Sequence, residues 1–259
     1  MLTPRFPLEI LDYTIDLLHD DPDALKECCL VSKSWIHRTR KHLFAHVKFI
    51  TEKRLQSWKE AFPDPFNSPA YHAHTLSINY SGEIIDTDRG AGEWIRGFSR
   101  VVHLRVASQR SYTDSEVSFD LLHGLPPTIE SLHADFTPFN PSRVLNFIIS
   151  FPLLESLSVT THSEIVVGTE LSTTIQPQSL PMFTGSLEVS MKGGMKPIAR
   201  RLLSLSGGIH FRELALKWFR EEDSLLTMAL LEKCSHTLES LKIACDSHST
   251  SVWHLCLRR

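Results

Sequence analysis

Residues 7 to 49 place apolar side chains at the spacing of short amphipathic helices, separated by polar breaks. Leu8, Leu11, Ile15 and Leu18 follow one another at steps of three or four residues, which puts them on one face of an α-helix. Pro7 stands before them, and proline suits the first position of a helix because its missing N–H would have no partner there. The pattern predicts a first helix that begins at Pro7 and ends at the next polar break.

Two further helices are predicted by their capping residues. Asp21 precedes Pro22, and aspartate is a favoured N-cap while proline fits the first turn. Ser32 is expected to cap a third helix that starts at Lys33. One side of this helix is predicted to carry Trp35, Thr39, Leu43 and His46. We interpret its basic side as a solvated face, formed by Lys33, His37, Arg38, Arg40 and Lys41.

A short phrase of the form Leu-x-apolar recurs through the rest of the chain, and each copy alternates apolar and polar residues like a half-buried strand. The steps between the leucines are 28, 28, 25, 30, 27 and 27 residues. A period this regular is typical of a leucine-rich-repeat solenoid, in which each repeat contributes one strand. We predict that the seven leucines are buried and aligned in neighbouring parallel strands: Leu76, Leu104, Leu132, Leu157, Leu187, Leu214 and Leu241.

The gaps between the phrases hold second apolar segments, which predict crossover helices. Such segments lie at 144–151, 198–205 and 225–231. The expected fold class is therefore α/β: a three-helix module followed by a leucine-rich-repeat-like solenoid of about seven repeats with parallel strands and crossover helices. The alternative is an ordinary doubly wound α/β domain, although that fold does not need equal spacing.

The composition of the 259 residues is that of an ordinary globular protein, with 42% hydrophobic and 22% charged residues. The formal net charge of −3 gives no overall basic field, so nucleic acid is not an expected partner. No apolar run reaches the roughly 18 residues that a membrane span needs, and the N-terminus does not resemble a signal peptide. Five cysteines, an odd number, do not make a disulfide framework. We therefore expect a cytoplasmic or nuclear protein that does not bind a membrane.

The sequence offers little catalytic or metal-binding chemistry. Cys234, Cys245 and Cys256 are spaced by 11 residues, whereas zinc ligands come in pairs only a few residues apart. We interpret them as buried small apolar side chains and expect no metal and no cofactor. The glycine pairs at 193–194 and 207–208 match no phosphate-binding fingerprint, and no serine stands in a Gly-x-Ser-x-Gly elbow. We expect the protein not to be an enzyme. A hydrolase is the alternative, and it would need a nucleophile and a base in one pocket.

Two blocks of the N-terminal segment resemble the F-box, the helical module that ties a substrate receptor to a ubiquitin ligase. The blocks are Phe6-Pro7-Leu8-Glu9-Ile10 and Cys29-Leu30-Val31-Ser32-Lys33-Ser34-Trp35. Phe6 departs from the usual pattern, which most often has leucine at that position. The Leu55-x-x-Trp58 segment and the turn at 62–65 further resemble F-box proteins of mushroom-forming (basidiomycete) fungi.

The resemblance implies a substrate-recognition subunit of an SCF-type cullin-RING E3 ubiquitin ligase. The F-box module would span 1–49, a bridging helix and proline-rich turn 50–73, and the solenoid 74–259. The module would dock on the Skp-type adaptor, and through it on the cullin core, with Pro7, Leu8, Leu11, Ile15, Leu30, Val31 and Trp35. The solenoid would bind a protein substrate through outward strand residues, Ser77, Arg105, His133, Ser158, Glu188 and Lys242.

The alternative function is a ligase-independent interaction scaffold, in which the three helices serve only to hold the solenoid in place.

Residues 250–259 show no recognisable polar cap, and an uncapped solenoid exposes apolar surface. We therefore expect the chain to be incomplete at this end and the last repeat to fray first.

Overall fold

A computed structural model of the protein describes residues 7–80, 93–109, 124–137, 147–161, 183–191, 196–205, 208–219, 223–245 and 252–256. The helices that we label are α1 (Leu8–Leu17), α2 (Pro22–Val31), α3 (Lys33–Leu43), α4 (Glu52–Ala61), α5 (Lys196–Leu203) and α6 (Ser224–Cys234). The strands are β1 (His46–Phe49), β2 (Thr75–Tyr80), β3 (His103–Gln109), β4 (Ser131–Thr137), β5 (Ser156–Thr161), β6 (Phe183–Met191), β7 (Ile209–Phe219), β8 (Ser240–Cys245) and β9 (Val252–Cys256). Short 3₁₀ turns lie at Pro65–Asn67, Pro69–His72 and Trp94–Gly97.

The predicted caps of α2 and α3 are confirmed. Asp21 Oδ1 accepts hydrogen bonds from the backbone N–H groups of Asp23 and Ala24 at 3.1 and 3.0 Å. Ser32 Oγ accepts one from the N–H of Ser34 at 3.3 Å. These N–H groups have no carbonyl partner inside their helix, so the capping side chains stabilise both helix starts.

The three N-terminal helices are held together by α3, which packs against both α1 and α2. Their buried side chains are Ile15, Leu25, Cys28 and Thr39. Asp16 of α1 also binds α3 directly: Arg38 donates to both of its carboxylate oxygens, and His42 Nε2 lies 2.7 Å from Oδ1. Hydrogen bonding from Arg38, and then from His42, holds the pKa of Asp16 far below its ordinary value despite its partial burial.

The described strands form one nine-stranded sheet in which each strand pairs with its neighbours in sequence, from β1 to β9. The first eight strands are parallel, and β9 runs antiparallel to β8. The doubly wound alternative is therefore wrong, because such a sheet reverses its strand order at a switch point. The protein is an α/β protein with a parallel sheet, as the sequence predicts.

The leucines of the repeated phrase lie opposite one another across the sheet, as predicted. The row runs through Leu76, Leu104, Leu132, Leu157, Leu187, Leu214 and Leu241, and Val47 of β1 extends it. The first six leucines are at most 2% exposed. Leu241 differs, because it is only partly buried on β8 while α6 packs against β7. The apolar residues two positions further along form a second row on the same face, from Phe49 through Ile78 and Val106 to Leu216.

Two of the expected crossover helices are confirmed as α5 and α6. The segment expected at 144–151 is helical at 147–149, and residues 144–146 lie outside the described part of the chain. His46 is not on the third helix, which ends at Leu43: its side chain belongs to β1, where burial alternates along four residues. At the C-terminal end residues 252–256 pair with β8 as an antiparallel strand, β9, which the repeated phrase did not predict.

An aromatic cluster joins the helical part to the sheet. Phe49 of β1 lies against Trp58 of α4 at 5.6 Å between ring centroids, and against Trp94 at 5.5 Å. Phe98 lies 5.8 Å from both Trp58 and Trp94. These rings belong to the same buried core as the leucine rows. The Phe49–Trp58, Phe49–Trp94 and Trp94–Phe98 contacts are edge-to-face. Such contacts add about 1 kcal/mol each beyond area burial, so the cluster fixes α4 on the first strands.

Candidate functional site

The first candidate surface is formed by apolar side chains of α1 and α2. Leu8 is 55% exposed, Leu30 81% and Val31 66%, and Pro7 is exposed beside them in sequence. Leu11 and Trp35 are partly buried, so they present part of their surface. Ile15 is the exception: at 1% exposure it lies inside the three-helix packing, and its predicted contact with an adaptor is therefore wrong.

Three exposed side chains extend this surface beyond the predicted set. Ile10 is 52% exposed, and Tyr13 and Leu17 are each 64% exposed. We use the name helical apolar surface for the exposed apolar side chains of α1 and α2 taken together, namely these three with Leu8, Leu30 and Val31. At about 100° per residue, Ile10, Tyr13 and Leu17 lie on the side of α1 away from Leu8, Leu11 and Ile15. Their own steps of three and four residues were the available sign in the sequence that α1 carries a second apolar side.

The second candidate surface is the open face of the sheet, opposite the leucine rows. The predicted residues Ser77, Arg105, His133, Ser158, Glu188 and Lys242 pair in register and form one row on this face, together with Lys48 and Ala215. Arg105 and Lys242 are exposed, and the other predicted residues are partly buried. The register confirms that the six residues lie side by side, while their contact with a substrate stays a prediction.

Polar contacts link neighbouring strands across the open face. His133 Nδ1 and Ser158 Oγ lie 3.0 Å apart, and burial followed by the nearby charge of Arg105 lowers the pKa of His133. Lys217 Nζ donates to Glu188 Oε1 at 2.5 Å. A neutral histidine, hydroxyls and a paired carboxylate make this part of the face rich in both hydrogen-bond donors and acceptors.

A shallow depression of about 370 Å³ lies on the open face over β5 to β8. Its small lining side chains include Ser156, Ser158, Ser186, Ala215 and Ser240. Its long ones are Glu188, Glu213, Lys217 and Lys242. Sequence reasoning missed Glu213 and Lys217, because it considered only the middle residue of each phrase and not the positions on either side. Small residues leave the strand backbone accessible, so the depression suits a flat or extended ligand with polar groups.

The described residues show little other chemistry. They contain no group of three or more His, Cys, Asp or Glu side chains placed to hold a metal ion. Cys234 is fully buried in the core with its thiol 3.9 Å from the carbonyl oxygen of Ile209, as expected for a packed side chain. The side chains of Cys245 and Cys256 lie outside the described set. No helix in the described ranges is long and apolar enough to cross a membrane.

Comparison of the chain with protein-family models, with curated proteins and with solved structures finds no match. The two surfaces and the residues that form them are therefore what the molecule offers toward a function.

Proposed function

We propose that the protein is the substrate-recognition subunit of an SCF-type cullin-RING E3 ubiquitin ligase. In this proposal α1 to α3 are an F-box that docks on a Skp-type adaptor, and the strands with their helices are a leucine-rich-repeat-like solenoid whose open face binds a protein substrate. The observation that carries the proposal is the helical apolar surface, whose six side chains are each more than half exposed.

Six large apolar side chains left exposed on two short helices support a partner rather than a solvated face. Burying a Leu, Ile or Val side chain is worth about 1.5 to 3 kcal/mol, and the helical apolar surface leaves most of that free energy unused. The three helices have few buried side chains of their own, so their free energy of unfolding would rise on docking. Leu8, Leu30 and Val31 are also among the residues on which the F-box resemblance depends.

The sheet supports the second half of the proposal. Eight parallel strands in sequential order, spaced by similar lengths of chain, are the arrangement expected of a solenoid in which each repeat covers its neighbour. Such a receptor would perform no bond chemistry. It would raise the local concentration of substrate lysines beside the ubiquitin-loaded enzyme, which is a proximity effect.

The test replaces exposed apolar residues on the helices and compares them with matched residues elsewhere. We expect Leu30→Ala combined with Val31→Ala to weaken binding of the purified chain to a Skp-type adaptor about a hundredfold in calorimetry. The control combines Leu225→Ala and Met228→Ala on α6, which are 83% and 64% exposed against 81% and 66% for Leu30 and Val31. The control should bind the adaptor as the wild type does.

Three outcomes decide between the functions. The ligase-receptor function is supported if only the α2 variant loses adaptor binding and if affinity purification of the wild type from a cell lysate also recovers a cullin. Adaptor recovered without a cullin favours the ligase-independent scaffold. No adaptor binding by the wild type, or an equal loss in both variants, overturns the F-box assignment.

A further inference from the structure

Positive charges from two distant parts of the chain lie around His72, which packs beside α3. Arg40 and Lys41 lie in the last turn of α3, and Arg100 lies in the turn that leads into β3. All three side chains are exposed, as is His37 one turn earlier on α3. We call these four residues the α3 basic surface. The chain as a whole has a formal net charge of −3, so this local excess is opposite in sign to the rest of the protein.

The α3 basic surface is built around the buried ring of His72. The His72 ring lies 5.4 Å from the His37 ring in an edge-on contact and 3.9 Å from the Tyr71 ring. His72 itself is 4% exposed. Burial lowers the pKa of His72, and the charged groups that lower it further are all positive: His37, Arg100, Lys41 and Arg40. No carboxylate of the described chain offsets these charges at His72.

In the described ranges Lys26, Arg38 and Lys217 bind carboxylates, whereas the three permanent cations of the α3 basic surface do not. Exposed cations elsewhere in those ranges, such as Lys53, Arg54 and Arg212, are also unpaired, so the three are distinguished by their shared position around His72. Within the same described ranges no ion pair or side-chain hydrogen bond involves Arg40, Lys41 or Arg100. Like charges held close together repel one another, so their clustering costs stability unless an anion is bound.

The helix dipole explains only part of this arrangement. Cations in the last turn of a helix are favoured by the partial negative charge of its C-terminus, which accounts for Arg40 and Lys41. It does not account for Arg100, which comes from another segment and adds to the same positive region. α3 packs against the turn at Pro69–His72, so these cations are carried by packed elements and little ordering is needed to bind a ligand.

We propose that the α3 basic surface binds a carboxylate-rich segment of a partner protein. This site uses residues other than the helical apolar surface and the open face, and it does not depend on the ligase assignment. Carboxylates are favoured over nucleic acid for two reasons. Only three permanent cations are present, fewer than the roughly 6 to 10 phosphate contacts that supply the affinity of a typical nucleic-acid complex. Tyr71, the nearby exposed aromatic residue, already packs on His72, which takes up part of the ring surface that a base would stack on.

The test measures binding of the full-length chain to a fluorescein-labelled peptide of consecutive glutamates by fluorescence anisotropy. We expect binding that weakens as salt rises, and a loss of about tenfold or more when Arg40→Glu, Lys41→Glu and Arg100→Glu are combined. The matched control reverses three exposed cations elsewhere, Lys53→Glu, Arg54→Glu and Arg212→Glu, and should lose less than about twofold. A neutral Gly-Ser peptide of the same length should not bind.

Contrary results are equally definite. No binding of the glutamate peptide by the wild type, or an equal loss in the two triple variants, would overturn the proposal. So would tighter binding of a labelled oligothymidylate than of the peptide, which would indicate a nucleic-acid site. Circular dichroism of each variant controls for folding, and the single variants Lys41→Glu and Arg100→Glu provide the comparison if a triple variant does not fold.

Discussion

His72 makes the stability of this protein depend on pH in a direction that follows from its surroundings. Burial, and then the positive charges of His37, Arg100, Lys41 and Arg40, lower the pKa of His72 from 6.5 to about 4. An unfolded chain has no such surroundings, so its histidine titrates near the ordinary value of about 6.5. Between these two values the unfolded state binds more protons than the folded state. Stability is therefore complete above pH 6.5 and falls as the pH is lowered toward 4.

The size of the effect follows from the two pKa values. Between pH 7 and pH 5 the free energy of unfolding should fall by about 2 kcal/mol through His72 alone, and the loss should level off near 3 kcal/mol below the folded-state pKa. Urea unfolding followed by circular dichroism, at pH 7 and at pH 5, measures this difference. His72→Gln removes the titrating group, so its free energy of unfolding should change about 2 kcal/mol less than that of the wild type.

A matched control separates this effect from general acid destabilisation. His236 is exposed in the turn after α6, and His236→Gln should keep the pH dependence of the wild type. If His72→Gln and the wild type lose the same free energy of unfolding between pH 7 and pH 5, His72 is not the source of the pH dependence. His72→Gln can be less stable at both pH values without affecting the comparison, because only the difference between them is used.

Three further predictions concern the fold. Gly185 has φ +87° and an added Cβ would lie 1.9 Å from the carbonyl oxygen of Glu155, so Gly185→Ala should cost about 2 kcal/mol or more in urea unfolding. Gly208→Ala, where the nearest atom would be 3.4 Å away, should cost only about 1 kcal/mol. Asp16→Asn should cost about 1 kcal/mol at pH 7, and the gap to the wild type should close as the pH falls below about 4, where the unfolded carboxylate protonates; an unchanged gap at low pH would contradict this. Leu157→Ala should cost about 2 to 5 kcal/mol and the exposed Leu153→Ala less than about 0.5, and similar costs would contradict the leucine row.

The sheet was largely predictable because its sequence signal is repeated. Each copy of the phrase is weak by itself, but seven copies at nearly equal steps leave one arrangement in which all leucines are buried. A parallel register then follows, since equal lengths of chain return each strand to the same side of its neighbour. The caps at Asp21 and Ser32 were predictable for a local reason, because both side chains bond to residues within the same turn.

The two strands that the repeated phrase does not mark were missed. β1 is four residues long, and His46 stands three residues after Leu43, a spacing that also fits the end of α3. β9 pairs antiparallel with β8 and carries no Leu-x-apolar phrase, so the repeat gave no signal for it. Short strands at the ends of a sheet are defined by their pairing partner more than by their own residues.

For the two helical surfaces, too, the sequence predicted some residues and could not predict others. An amphipathic stripe locates the apolar face of α1, but it does not say which part of that face α3 covers: Ile15 is buried by the packing, while Leu8 on the same stripe is open. The sequence placed His37, Arg40 and Lys41 of the α3 basic surface on one side of the helix, but it could not add Arg100, which is separated from Lys41 by 59 positions. The packing of α3 on the turn at Pro69–His72 places Arg40 and Lys41 near His72, and the hydrogen bond from Val102 N–H to the His74 carbonyl oxygen brings the segment of Arg100 to the same region.

The order of the strands has a consequence for how the protein is made on the ribosome. Each strand pairs only with strands that precede or follow it directly in the chain, so β1 and β2 can be joined as soon as residue 80 has emerged. Synthesis proceeds from the N-terminus, and every later strand then finds its partner already in place at the growing edge. No strand has to wait for a distant part of the chain. During translation the growing edge is therefore always the newest strand, and β9 covers the free edge of β8.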